Sequence, residues 1–145
     1  MELSCKTEYA LLALIELASY YQQQQPLQIR QIAARQSIPD RYLEQLLATL
    51  RRGGVVRSQR GAKGGYLLAK EPWKISLQEI LDCLEGADAN GSSDPAAIQT
   101  PEQTIVTEVW QEATAAIAEV LSRYTLQDLC DKRDAKQQLD FMYYI

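Results

Sequence analysis

The sequence predicts a mainly α fold with one small β-hairpin, made of a compact N-terminal unit and a long C-terminal helix. Three observations carry this. Apolar residues recur at three- and four-residue steps through most of the chain. Glycine and proline are few, 7 and 5, and they cluster at a handful of breaks. Only residues 55–70 read as short strands flanking a glycine-rich turn. With 145 residues, 46% of them hydrophobic, the chain has material for one compact core.

The first helix is expected over residues 6–21. Tyr9, Leu12, Ala13, Leu17 and Tyr20 form an apolar stripe that Leu11, Leu14, Ile15 and Ala18 widen, so this helix is buried on several sides. Four glutamines and Pro26 end it. Residues 29–36 predict a short helix with Ile32 and Ala33 inward, followed by a break at 37–39. A second helix then carries Tyr42, Leu43, Leu46, Leu47 and Leu50. Pro39 stands at its cap or at its first helical position, where a missing N–H has no partner to lose. Gly53-Gly54 closes the helix and supplies a positive φ, with Arg51 and Arg52 favoured in its last turn by the helix dipole. Strands at 55–59 and 66–70 flank Arg60-Gly61-Ala62-Lys63-Gly64-Gly65. Short helix, turn, helix and hairpin, in that order, make a winged helix-turn-helix. Pro72-Trp73 marks its edge, so residues 1–72 read as one unit whose first helix is shared with a dimer core.

Residues 73–99 read as a short helix and a sensing-type loop. Ser76 and Glu79 have capping-box spacing, Leu77, Ile80, Leu81 and Leu84 form the apolar face, and residues 85–99 are irregular. Thr100-Pro101-Glu102-Gln103 opens a long helix that runs to about Tyr124. Along it Val106, Trp110, Ala113, Ile117, Val120 and Tyr124 alternate by four and three residues, which is a heptad seam. Ile105, Val109 and Ala116 add a second strip, so the helix calls for two partners: its own domain and a second subunit. Residues 100–145 are therefore assigned to homodimerisation. Thr125 and Asp128 cap a short helix through Leu126 and Leu129. The end of the chain, with Leu139, Phe141, Met142, Tyr143, Tyr144 and Ile145, is too apolar for water and is expected to dock on its own core or on a partner.

Charge divides the chain. Residues 1–70 hold ten Lys and Arg against five Asp and Glu, whereas residues 71–145 hold five against fourteen. A basic block on an acidic remainder suits a polyanion-binding face. No apolar run approaches the ~20 residues of a membrane helix, and no signal peptide is visible, so a cytoplasmic protein without membrane contact is expected. The absence of histidine and the scatter of acidic residues along helices argue against an enzyme. Lys63 is followed by Gly64, which excludes a phosphate-binding P-loop.

The candidate partner is double-stranded DNA. Arg41, Tyr42, Glu44 and Gln45 lie near the start of the second helix of the pair, where such helices meet base edges. Arg can fork onto guanine, Gln can pair with adenine and Glu can accept from cytosine, while the Tyr42 hydroxyl suits a phosphate. Arg51 and Arg52 add charge at the other end of that helix. Arg60 and Lys63 occupy the hairpin tip, and an Arg there can enter the minor groove. The plainer alternative is that Tyr42 packs, Glu44 pairs with Arg41 or Arg51, and the wing is an ordinary exposed hairpin. A winged helix that binds only protein is the matching functional alternative.

Five stretches carry a resemblance: Leu3–Ala10 (LSCKTEYA), 41–54 (RYLEQLLATLRRGG), 60–70 (RGAKGGYLLAK), 75–81 (ISLQEIL) and 125–129 (TLQDL). Together they resemble the Rrf-two-type regulators, the IscR/NsrR/CymR family, over nearly the whole chain. The resemblance implies a winged-helix domain, a long dimerisation helix and palindromic operators. By position it implies that Glu44 and Gln45 read bases and that Arg60 reaches the minor groove. Cluster-binding members of the family carry three cysteines between the fourth helix and the long helix. The matching residues here, 86–103, hold no cysteine, so the usual iron–sulfur ligand set is absent and no cofactor is predicted. The resemblance then implies a metabolite, a partner protein or thiol oxidation as the signal.

The three thiols, Cys5, Cys83 and Cys130, are odd in number and widely spaced, which is no disulfide framework. They read as small hydrophobes in a helical core. The sharper reading is a redox switch, or an unusual cluster site using Cys5, Cys83 or Glu8 across a dimer. A helix N-terminus beside Lys6 would favour the Cys5 thiolate.

Overall fold

The computed structural model describes residues 3–86 and 100–143. Its helices are α1 (Cys5–Ser19), α2 (Ile29–Gln36), α3 (Asp40–Arg52), α4 (Leu77–Gly86), α5 (Pro101–Arg123) and α6 (Leu126–Tyr143). A hairpin of β1 (Val56–Gln59) and β2 (Gly65–Leu68) follows α3, and a 3₁₀ turn spans Pro72–Lys74. Glu85 and Gly86, expected in the sensing-type loop, instead close α4, and the rest of that loop, residues 87–99, lies outside the described residues.

The core is aliphatic and joins every part of the N-terminal unit. Ala13 and Leu14 of α1, Ile32 of α2, Leu43, Leu47 and Leu50 of α3, Val55 and Val56 before and in the wing, and Ile80 of α4 are all buried in one cluster. Leu126, at the start of α6, joins the same cluster, so the chain returns to its first domain after α5. Replacing one of these leucines by Ala removes its packing and leaves a void, a change that costs about 2–5 kcal/mol.

Capping explains the boundaries. The Ser4 side chain accepts from the Thr7 N–H, so α1 starts at Cys5, one residue earlier than expected. Pro39 is the N-cap of α3, with φ −59° and ψ 130°, which settles its position outside the helix. Gly53 has an ordinary right-handed φ of −79°, so the positive φ at this helix end belongs to Gly54, at +79°. Thr100 and Gln103 make the reciprocal capping box expected at the start of α5, and Thr125 and Asp128 make another before α6.

The wing is tied to the connector between α1 and α2. Leu27 and Tyr66 exchange both backbone bonds, at 3.0 and 2.8 Å, so Leu27 lies beside β2 like a short third strand. A side chain on Gly65 would strike the Leu27 backbone, so this close approach needs glycine.

Two expectations for the C-terminal part change. The short helix after Thr125 is an 18-residue helix, packed against α1 and the 3₁₀ turn near its start. The described end of the chain does not dock on its own core: Leu139, Phe141, Met142 and Tyr143 are exposed. The α5 helix also takes less from its own domain than its two strips imply. It buries no residue fully, and only Ile117, Ala118 and Leu121 are partly covered.

Candidate nucleic-acid interface

Helix α3 presents two faces. Leu43, Leu46, Leu47 and Leu50 turn inward, none more than 4% exposed. Arg41, Glu44, Gln45 and Arg52 are exposed, and at 3.6 residues per turn they fall on one stripe along the opposite side. Among the described residues, Arg41 and Glu44 form no ion pair with each other, and Glu44 forms none with Arg51. Among the described residues no side-chain hydrogen bond engages Arg41 or Glu44, so both face solvent. Tyr42 behaves differently. It is half-buried and meets Tyr9 of α1 edge to face, with ring centroids 5.6 Å apart and planes at 80°. The ring packs, and α1 thereby holds the start of α3.

The other end of α3 is braced to the wing. Arg51 Nη1 donates to Ser58 Oγ of β1 at 3.3 Å, and Arg52 Nη2 donates to Thr49 Oγ1 at 3.3 Å. Arg57 of β1 donates to Gln24 Oε1 at 3.3 Å. These bonds are exposed, so each contributes little stability: Arg51–Ser58 joins α3 to the wing, Arg52–Thr49 stays within α3, and Arg57–Gln24 joins the wing to the segment after α1. The tip carries Arg60 and Lys63, both exposed and with no ion pair among the described residues. Gly61, with φ +113°, lets the chain reverse between them.

Sequence reasoning missed Lys6, Thr49 and Arg57 in this region. Lys6 and Arg52 flank a cleft of about 440 Å³ between α1 and α3 that Tyr42, Gln45, Ala48 and Thr49 also line. Lys6 Nζ donates to the Leu84 carbonyl oxygen at 3.2 Å. The outward alternation of Arg57 after the buried Val56 was the available signal for that residue.

The residues expected to form a dimer seam lie on an open helix. Val106, Trp110, Val120 and Tyr124 are 65%, 64%, 45% and 39% exposed, and Ile105 and Val109 beside them are equally open. Ala113 is exposed, while Ile117 is half-buried against the chain's own domain.

The thiols sit on three separate elements. Cys5 is exposed in the first turn of α1, with Glu8 one turn along. Cys83 of α4 is part-buried, its Sγ 3.5 Å from the Thr49 carbonyl oxygen, and burial pushes its pKa up. Cys130 of α6 is buried, and its pKa is likewise raised by burial. Among the described residues, no three His, Cys, Asp or Glu side chains converge on one point. Residues 87–99 contain neither cysteine nor histidine. The donor set of one chain therefore does not fit an iron–sulfur cluster, which thiolates or imidazoles hold.

Comparison with known proteins gives the context. Residues 3–132 match the Rrf2 family, described as iron-dependent transcriptional regulators. The HTH-type transcriptional regulator CymR of Bacillus subtilis is 37% identical over 145 residues, covering 100% of both chains. The structure of CymR, the global cysteine regulator of B. subtilis, aligns with a TM-score of 0.71 at 35% identity, over 91% of this chain and 98% of that one. The structure of T. potens IscR aligns with a TM-score of 0.78 at 34% identity, over 94% and 91%.

Proposed function

This chain belongs to the Rrf2 family of DNA-binding transcriptional regulators, and from that premise we propose that two copies grip a palindromic operator, each laying α3 in the major groove and the wing in the flanking minor groove. One observation carries the assignment of residues. Arg41, Glu44 and Gln45 are exposed on one stripe of a helix whose other face is locked in the core, and neither Arg41 nor Glu44 is neutralised by a described neighbour. Glu44 and Gln45 read bases, Arg41 and Arg60 reach guanine and the minor groove respectively, and Lys63, Arg51 and Arg52 meet phosphates. Tyr42 positions the helix through Tyr9 and offers its hydroxyl to a phosphate.

The dimer forms along α5, where Val106, Trp110, Ala113, Val120 and Tyr124 otherwise face water and Ile117 lies at the inner edge. The signal is a metabolite, a partner protein or thiol oxidation, received in the cytoplasm. Selection from a random duplex library tests the whole reading. It should return an inverted repeat whose half-sites lie about one helical turn, or a multiple of it, apart. Failure to enrich any sequence would contradict it.

A further inference from the structure

We propose that the half-open cleft between the end of α1, the 3₁₀ turn and α6 binds a free α-amino acid with a short side chain, and that its occupancy is felt by the wing. The wing half of this proposal rests on the DNA-binding reading above; the binding half does not.

The cavity measures about 190 Å³. At ~30 Å³ per water this is room for about six, which suits an amino acid with a short side chain better than a drug-sized ligand. Its polar groups come from Gln127, Arg133 and Asp134 of α6, from Ser19 at the end of α1 and from Gln22 and Gln23 just beyond it, with Trp73 at one side and buried Cys130 behind.

The donors and acceptors there are only partly used. Arg133 Nε and Nη2 donate to one oxygen of Asp134, Oδ1, at 3.1 and 2.9 Å, and Nη1 donates to Ser19 Oγ at 2.7 Å. A guanidinium has five N–H groups, so one remains on Nη1 and one on Nη2. These two unused donors are open to the oxygens of a carboxylate, and a charge-assisted bond to either is stronger than a neutral one. The second oxygen of Asp134, Oδ2, accepts from no described residue and can take an ammonium. Trp73 stands at right angles to Tyr21, with centroids 6.1 Å apart, and is 50% exposed, so its indole offers a further surface to a cation. A fixed cation beside an acceptor oxygen, in a space this small, selects a carboxylate and an ammonium carried on one carbon. Neither charge alone satisfies both.

The same wall touches the DNA-binding unit. Gln22 and Gln23 line the cavity, and the next residue, Gln24, sits at φ +52° and accepts from Arg57 of β1. Gln24 is a non-glycine residue in a sparsely populated conformation, so a shift of its neighbours changes the bond to the wing.

Calorimetric titration of the full chain with glycine, alanine, serine and cysteine tests the site, with acetate and methylamine as single-charge probes. At least one amino acid should bind, and the two probes should not. Arg133→Gln and Asp134→Asn should each weaken binding at least tenfold. Because Arg133 also ties α6 to α1, NMR of wild-type protein provides a readout free of folding effects: the Trp73 indole N–H signal should move on titration and that of Trp110 should stay. Operator affinity should change severalfold at saturation in wild type and not in Arg133→Gln. No binding by any amino acid, or equal binding of acetate, overturns the site. Binding that leaves operator affinity unchanged overturns the link to the wing. A chain that takes an amino acid but binds no duplex supports the cavity and contradicts the DNA-binding reading instead.

Discussion

Cys83 Sγ on α4 lies 3.5 Å from the Thr49 carbonyl oxygen on α3 and fills the space that a side chain at Gly53 would need. The end of α3 is thus seated directly on α4. Gly53 has an ordinary helical φ, so Ala there is not strained by backbone geometry and would by itself stabilise by about 0.4–1 kcal/mol. Contact with Cys83 reverses the sign. Gly53→Ala should destabilise by about 1–2 kcal/mol in denaturant unfolding, and Cys83→Ala in the same chain should recover part of the loss. A stabilised Gly53→Ala protein would show that α4 does not sit here.

Thiol exposure gives a second test. Cys5 should react first with a thiol reagent, while Cys83 and Cys130 react slowly until the protein is unfolded. The pH dependence has a fixed sign. Burial raises the folded-state pKa of Cys83 and Cys130, so between the unfolded and folded values the unfolded chain has already lost protons that the folded chain keeps. Stability from these thiols is complete below the unfolded thiol pKa and falls as pH rises above it. Thermal melts taken at increasing alkaline pH should show a shallower decline in Cys130→Ala than in wild type; identical slopes would contradict the burial of Cys130.

Dimerisation is best tested away from the chain's own core. Val106 and Trp110 are among the most exposed residues of α5, so a charge there should leave the described core intact. Val106→Glu should give folded monomers in ultracentrifugation, with the helical signal kept and operator affinity reduced at least a hundredfold, because half-site binding loses the linkage between two grips. An unchanged dimer would move the interface off α5.

Base reading separates from backbone contact. Glu44→Ala removes an acceptor without altering the leucine face of α3, so it should relax preference at one base pair by about 1–3 kcal/mol and leave non-specific binding intact. Binding measured across single-base operator variants decides this: uniform loss at every position would assign Glu44 a structural role.

The parts of the molecule that local chemistry governs were legible in the sequence. The bounds of α2 and the start of α5 follow from caps and helical periodicity, and the hairpin follows from its glycines. The exposed stripe on α3 was legible for the same reason, since four leucines at helical spacing dictate which residues face out. The length of α6 was not. Residues 131–138 are almost entirely polar and show no apolar stripe, yet they are good helix formers, and pairs such as Gln127 with Asp131, at 2.9 Å, support them. The Arg57–Gln24 and Arg133–Ser19 bonds span 33 and 114 residues and leave no local signature. The cavity was invisible for that reason, because it exists only where α1 and α6 meet.

The account turns on cations of α3 and the wing meeting phosphate on one duplex. Operator affinity measured against salt for wild type and Lys63→Ala tests this most directly. Wild type should show a steep linear fall of log K with log salt, and Lys63→Ala a slope shallower by about one unit, as loss of one phosphate contact requires. A wild-type affinity indifferent to salt, or a slope that Lys63→Ala leaves unchanged, would contradict it.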